Sequence, residues 1–208
     1  MVLHTALATA LTLAGAGTDV PVGTPIAGRV DEALDDLVGL FTNYLVLRLD
    51  TSGDPAFTDL LRRARDADFA AYEHQEYPFT GMVDACDPPR HPGRHPLFQT
   101  MLVLQNYAGS ALELPGLTVA PVDVDHVTAR IDFALLLTET PGVDGVSGHV
   151  EYADELFDRE TVERFCAVLT DVLRAAGDRP ELPIGLMSPA TATGARPLTA
   201  TTPEGDQL

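Results

Sequence analysis

The chain has 208 residues, 31 carboxylates against 13 basic side chains, and a formal charge of -18. Such a charge repels phosphate backbones, which argues against a nucleic-acid partner. Hydrophobic content of 45% with 21% charged residues is that of a globular domain with a sizeable core, and no segment reaches the roughly 18 apolar residues of a membrane span. Every basic side chain is Arg. Cys86 and Cys166 lie far apart without CxxC spacing, so neither a metal site nor a disulfide framework is indicated, and two buried, reduced thiols are expected.

In chain order, Leu3, Ala6, Leu7, Ala10, Leu11 and Ala14 fall at helical spacing and predict a core-packing helix with one apolar face. The absence of a basic leader argues against a signal peptide. This helix opens the chain without a lead-in, as if the sequence began inside a fold. A strand is expected in "DVPVGTPIAGR", a short helix over Asp31 to Val38, and a buried strand in "TNYLVLRLD". Asp54, before Pro55, is the expected start of a long helix whose apolar face is Phe57, Leu60, Leu61, Ala64, Ala71 and Tyr72. A second helix is predicted from Phe79 to Cys86. Prolines then impose an extended loop at "DPPRHPG". Further strands are expected in "FQTMLVLQN", "LTVAPVDV", "ARIDFALLLTET" and "VSGHVEYAD", and a last helix over Arg159 to Ala176 with Val162, Phe165, Cys166, Leu169, Val172 and Leu173 inward. From Gly177 the composition turns to Pro, Thr, Ala and Gly, and residues 188–208 are expected to form a flexible tail or linker. Interleaved strands and helices indicate an α/β fold with a mixed β-sheet and flanking helices.

The chemistry-bearing residues form no complete constellation by spacing. His74 sits among Glu73, Gln75 and Glu76, where a base with an orienting carboxylate is conceivable. A histidine favoured by a helix C-terminus is the simpler account. His91 and His95 lack a third metal ligand. Asp123, Asp125, His126 and Asp132 fall on alternate sides of an extended segment. Neither a phosphate-binding GxxxxGK[ST] loop nor a GxSxG elbow is present.

The order of motifs says more. "VPVGTPIAGR", "VGLFTNYLVLR", "HQEYPFTGMVDA" and "RHPGRHPLFQTMLVLQN", followed by "GHVEYADELFDRETVERF", resemble the C-terminal half of nonribosomal peptide synthetase condensation domains, over about residues 2–187. The resemblance implies one lobe of the two-lobed chloramphenicol-acetyltransferase-like fold, with residues 1–187 as that lobe. It implies a parent that joins a carrier-bound acyl donor to the amine of a carrier-bound acceptor. The family's catalytic histidine lies in an HHxxxDG motif of the N-terminal lobe, and this sequence contains no HH pair. No catalytic residue is therefore assigned, and the chain alone is expected to be inactive.

Residue by residue, the resemblance makes Arg29 the arginine that approaches the HHxxxDG aspartate and Asn43 a second active-site-associated residue. Gly39, Phe41, Arg48, His74, Gln75, Pro78, Phe79, Arg94, Pro96, Leu97 and Phe98 become motif or structural positions. His95 stands where Asn is usual, and Thr42 and Tyr44 replace a Val and a Thr. Residues 25–41 and Asn106 to Asp132 correspond to the family's floor loop and latch, and "RHPGRHPLF" departs from the epimerisation subclass. The implied partners are an N-terminal lobe and peptidyl carrier proteins, which bring phosphopantetheine with them, so no cofactor is bound directly. A homodimer through the exposed interlobe face and a cytoplasmic location are also expected. The competing expectations are a non-catalytic interaction module of the same fold and, further off, an acyltransferase using His74.

Overall fold

The computed structural model describes residues 1–105, 128–139 and 145–188, with 114, 116, 117, 119 and 122 between them. Most of the expected strand "LTVAPVDV", the residues Asp123, Asp125 and His126, most of the latch and the tail beyond Ser188 lie outside the described residues.

Helix α1 (Val2–Leu13) leads into strand β1 (Asp19–Ile26), which forms a hairpin with β2 (Asn43–Asp50). Helices α2 (Phe57–Glu73) and α3 (Phe79–Cys86) follow, then β3 (Thr100–Gln105), β4 (Phe133–Glu139), β5 (Val146–Tyr152) and α4 (Arg159–Asp178). The five strands form one mixed sheet in the order β2-β1-β3-β4-β5. The inner neighbours β1/β3 and β3/β4 are parallel, and the outer pairs β1/β2 and β4/β5 are antiparallel. β1 pairs with β2 from Asp19↔Asp50 to Ile26↔Asn43, but meets β3 only at Val22↔Thr100 and Gly23↔Met101.

Strand alternation sends Val20, Val22, Leu45, Leu47, Leu49 and Leu102 to one face. There α1, α2 and α4 supply Leu7, Leu60, Ala64, Phe165 and Val172 to one core with Val20, Val22, Leu49 and Leu102, while Leu45 and Leu47 pack in a second, smaller cluster with Ile26 and Ala71. The opposite face, carrying Gly23 and Tyr44, positions the candidate site.

Helix α1 is buried nearly all round, not on one face: His4, Thr5 and Thr9 join its alanines and leucines in the interior. The imidazole Nδ1 of His4 lies 2.9 Å from a carboxylate oxygen of Asp68, an equally buried residue of α2. This pair compensates part of the cost of placing two polar side chains in the core.

Several other expectations are corrected. The helix over Asp31 to Val38 is only a 3-10 turn at Glu32–Leu34, capped by the Asp31 carboxylate on the Ala33 amide. "TNYLVLRLD" is an edge strand with one buried face, as its alternating burial shows. Asp54 does not cap α2, whose N-cap is Ala56. It adopts a left-handed φ of 48° and accepts a hydrogen bond from the Gly185 amide at 2.7 Å. That bond, with Ile184 N–H donating to Pro55 and the Ala56↔Pro183 bridge, ties the segment after α4 to the start of α2. The chain therefore stays packed past Gly177: α4 runs to Asp178, and Ile184, Met187 and Ser188 are buried. Both cysteines are free, but Cys86, at the end of α3, is exposed and Cys166, on α4, is only half-buried. α3 itself occupies the expected Phe79–Cys86 and ends on Asp87 in the left-handed region.

Candidate functional site

Phe98 precedes β3 and is fully buried. Its ring lies where a side chain on Gly23 would otherwise sit, so the missing Cβ of β1 seats the ring on the sheet. His95 stacks on it with ring centroids 3.9 Å apart, and Phe79 meets His95 at 5.3 Å and Phe98 at 6.0 Å. Tyr44 closes the row edge-on to Phe79 at 6.1 Å. Three distant segments thus make one aromatic wall on the face of the sheet opposite α1, α2 and α4.

Asn43 locks that wall together. Its amide nitrogen donates to the carbonyls of Gln75 (3.0 Å) and Tyr77 (2.8 Å), and its oxygen accepts from the Phe79 amide at 3.1 Å. The last bond satisfies a first-turn N–H of α3, a group that no helical carbonyl can reach. Pro78 occupies the N-cap of this helix without offering a side-chain cap.

His95 is held as a neutral ring. Burial pushes its imidazole below the ordinary value, against the pull of Asp132. Its Nδ1 accepts from the Phe98 amide at 3.4 Å, a long bond that places the ring proton on Nε2. Gln99 donates to the His95 carbonyl at 2.8 Å and accepts from Arg94 at 3.4 Å. Burial pushes the Asp132 carboxyl up, opposed by Arg94 and His95. Beside this network a cavity of about 160 Å³ is lined by Pro88, Pro89, His91, Arg94, His95, Pro96 and Gln99.

The loop from β1 to β2 carries Arg29 next to Gly28, whose φ is 66°. A Cβ on Gly28 would overlap the carbonyl of Phe41, so the loop's two ends close on a glycine. The Arg29 guanidinium donates to the carbonyls of Leu34 and Leu37, the latter at 2.8 Å, and lies 4.3 Å over the Phe41 ring. Gly39 packs beside the same ring.

The remaining motif positions are dispersed. Arg48 is exposed and makes a two-pronged pair with Asp19, with bonds of 2.7 and 2.6 Å along the hairpin. His74 is the exposed C-cap of α2, and no hydrogen bond or ion pair joins its ring to Glu73 or Glu76. Leu97 is half-buried beside Phe98 in sequence. Among the described residues, no group of three His, Cys, Asp or Glu side chains could hold a metal ion. Sequence reasoning missed Gly23 and Gln99. The glycine inside a β-branched strand was the available signal, since glycine there marks a close approach.

The family model described as Condensation domain matches residues 1–199. Among curated relatives, the chain is 47% identical over 191 residues to the probable non-canonical nonribosomal peptide synthetase CymA of Salinispora arenicola. It is 46% identical over 190 residues to the dimodular nonribosomal peptide synthase of Bacillus subtilis. Each alignment covers 89% of this chain, but only 2% and 8% of those proteins respectively. Among solved structures, the complex of the X-domain and OxyB from teicoplanin biosynthesis superposes with a TM-score of 0.79 at 31% identity, covering 90% of this chain and 41% of that one. The first condensation domain of the CDA synthetase superposes at 0.68 with 16% identity, a likeness of fold, over 90% of this chain and 41% of that one. With its mixed five-stranded sheet and flanking helices, the chain belongs to the nonribosomal peptide synthetase condensation-domain family and corresponds to the C-terminal lobe of its chloramphenicol-acetyltransferase-like fold.

Proposed function

We propose that residues 1–187 act as the C-terminal lobe of a condensation domain and form one wall of the tunnel in which a carrier-bound acyl donor meets the amine of a carrier-bound acceptor. The single observation that carries this reading is an ordered aromatic wall without a base. His95 is stacked and neutral, and His74 has no orienting carboxylate. The base then comes from an HHxxxDG motif on an N-terminal lobe, the first partner. Peptidyl carrier proteins are the second, bringing phosphopantetheine arms, and the chain holds no cofactor of its own. Arg29 and Asn43 are the residues assigned to the site, with the wall from Phe79 to Phe98 as its support. Ser188 is packed against the domain, so the linker expected over 188–208 is assigned to begin after it.

No helix among the described residues is long and apolar enough to cross a membrane; the cytoplasmic location is proposed on the family likeness alone. Self-association through the exposed interlobe face is a further assignment, and sedimentation tests it. The experiment for the function is amide formation between loaded donor and acceptor carriers, with and without an HHxxxDG lobe. Turnover is expected only with both lobes, and turnover by this chain alone would overturn the reading.

A second reading is favoured by the X-domain likeness at 31% identity, because that structure is a complex with another biosynthetic protein. On this reading the chain is a non-catalytic module that recruits a carrier protein or tailoring enzyme. Binding to such a partner without turnover in the two-lobe assay would select it.

A further inference from the structure

The core has an opening at the C-terminal end of α1. There a cavity of about 120 Å³ is floored by Thr100 and Phe133, neighbours across the β3/β4 ladder, and walled by Leu11, Phe157, Val162 and Phe165. These residues are buried or partly buried, but Ala16 at the rim is exposed, so the cavity opens to solvent beside it. The turn that ends α1 puts Ala16 there: its amide donates to the Leu11 carbonyl at 3.0 Å, between Gly15 and Gly17 at φ 90°, a backbone that favours glycine. Phe133 meets Phe165 edge-on at 5.0 Å and Phe157 at 6.2 Å. Amid these rings the Thr100 hydroxyl is the one polar side-chain group, and no hydrogen bond holds it among the described residues. An unfilled apolar cavity costs stability, because its lining atoms forgo contacts.

We infer that this cavity binds a phenol as a free small molecule, with the aromatic ring packed on the three phenylalanines and the hydroxyl bonded to Thr100. Size selects one ring: an apolar cavity of about 150 Å³ takes up benzene, and a second ring or a long acyl chain would not fit. Shape and charge distribution select a flat ring, which meets the edges and faces of its neighbours in the arrangements aromatic pairs prefer. The hydroxyl selects the substituent. Threonine both donates and accepts, so a phenolic O–H pairs with it in either sense. A charged or second polar group inside the cavity would lie bare against Leu11 and Val162, so phenol itself or a cresol fits best. The rim favours a free molecule over a partner's tyrosine, since Gly15, Ala16, Gly17 and Thr18 offer no large apolar surface for a protein to cover. The site stands on the α1/α4 face of the sheet, away from the aromatic wall, and does not depend on the condensation reading.

The test is calorimetry of the whole chain with phenol, benzene, cyclohexanol and N-acetyltyrosinamide. Phenol should bind with a Kd on the order of 1 mM or below, and the other three more weakly. Thr100→Val, which keeps the volume and removes the hydroxyl, should weaken phenol about fivefold and leave benzene unchanged. Thr100→Ser should keep most of the phenol affinity. Ala16→Leu, at an exposed position, should close the mouth and abolish phenol binding while circular dichroism stays unchanged. No saturable phenol binding, or phenol bound equally by Ala16→Leu, overturns the site. Cyclohexanol as tight as phenol overturns the aromatic class, and unchanged phenol affinity in Thr100→Val overturns the hydroxyl contact. N-acetyltyrosinamide as tight as phenol overturns the free ligand in favour of a protein side chain.

Discussion

Gly23 and Phe98 share one volume: the ring of Phe98 fills the space above the strand that any side chain at position 23 would claim. Replacing Gly23 by Ala forces the ring, and His95 stacked on it, away from β1. Overpacking of this kind costs about 1–3 kcal/mol. We expect Gly23→Ala to lower the urea midpoint at unchanged slope; a midpoint equal to that of the unsubstituted chain would mean that the ring relocates freely.

The His4–Asp68 pair joins α1 to α2 across 64 residues inside the core. Asp68→Ala leaves an imidazole buried without its partner, which should cost about 3 kcal/mol or more, whereas replacing both residues by leucine should be much closer to neutral. A double-mutant cycle in urea measures the coupling. A loss in the double variant equal to the sum of the two single losses would show that the pair contributes nothing beyond volume.

Asn43→Ala removes three hydrogen bonds at once, for an expected loss of about 2–3 kcal/mol at roughly 1 kcal/mol each. The loss should be local. Amide exchange should rise at Phe79 and along the first turn of α3 before it rises in β4 or α4. Uniform acceleration over the whole chain would contradict the clamp.

Acid sensitivity should run through His95. Burial holds its imidazole below the ordinary 6.5, so on acidification the unfolded chain takes up this proton first. The stability present above about pH 6.5 is then lost down to the lower folded value. Asp132, pushed above 3.8 by burial, works in the opposite direction: the folded chain protonates first, and stability is gained as pH falls through its raised value. We expect the urea midpoint to fall between pH 7.5 and 5.5, and less so in His95→Asn. An equal fall in both proteins would remove His95 as the cause.

Elements governed by local chemistry were legible. α3 takes the expected bounds because Pro78 opens it and the prolines after Asp87 forbid its continuation. α4 starts at Arg159 because the Asp158 carboxylate caps Thr161. The misreadings involve partners distant in sequence. Asp54 carries a good N-cap side chain, yet bonds to Gly185, 131 residues away. Asp68 sits one turn from Ala64 on the buried face of α2, and only His4 makes that position tolerable. Arg29 and Asn43 were singled out through motif order. That one folds back on its own loop while the other bridges β2 to α3 depends on carbonyl positions that spacing does not encode.

The short pairing of β1 with β3 gives the sheet a seam. The β1/β2 hairpin and the β3–β4–β5 unit are each laddered along their length, but only two residue pairs hold them to one another. Phe98 sits at that junction, wedged on Gly23 and carrying His95. The joint between the halves therefore rests on the core under α1, α2 and α4 and on this one ring more than on backbone pairing.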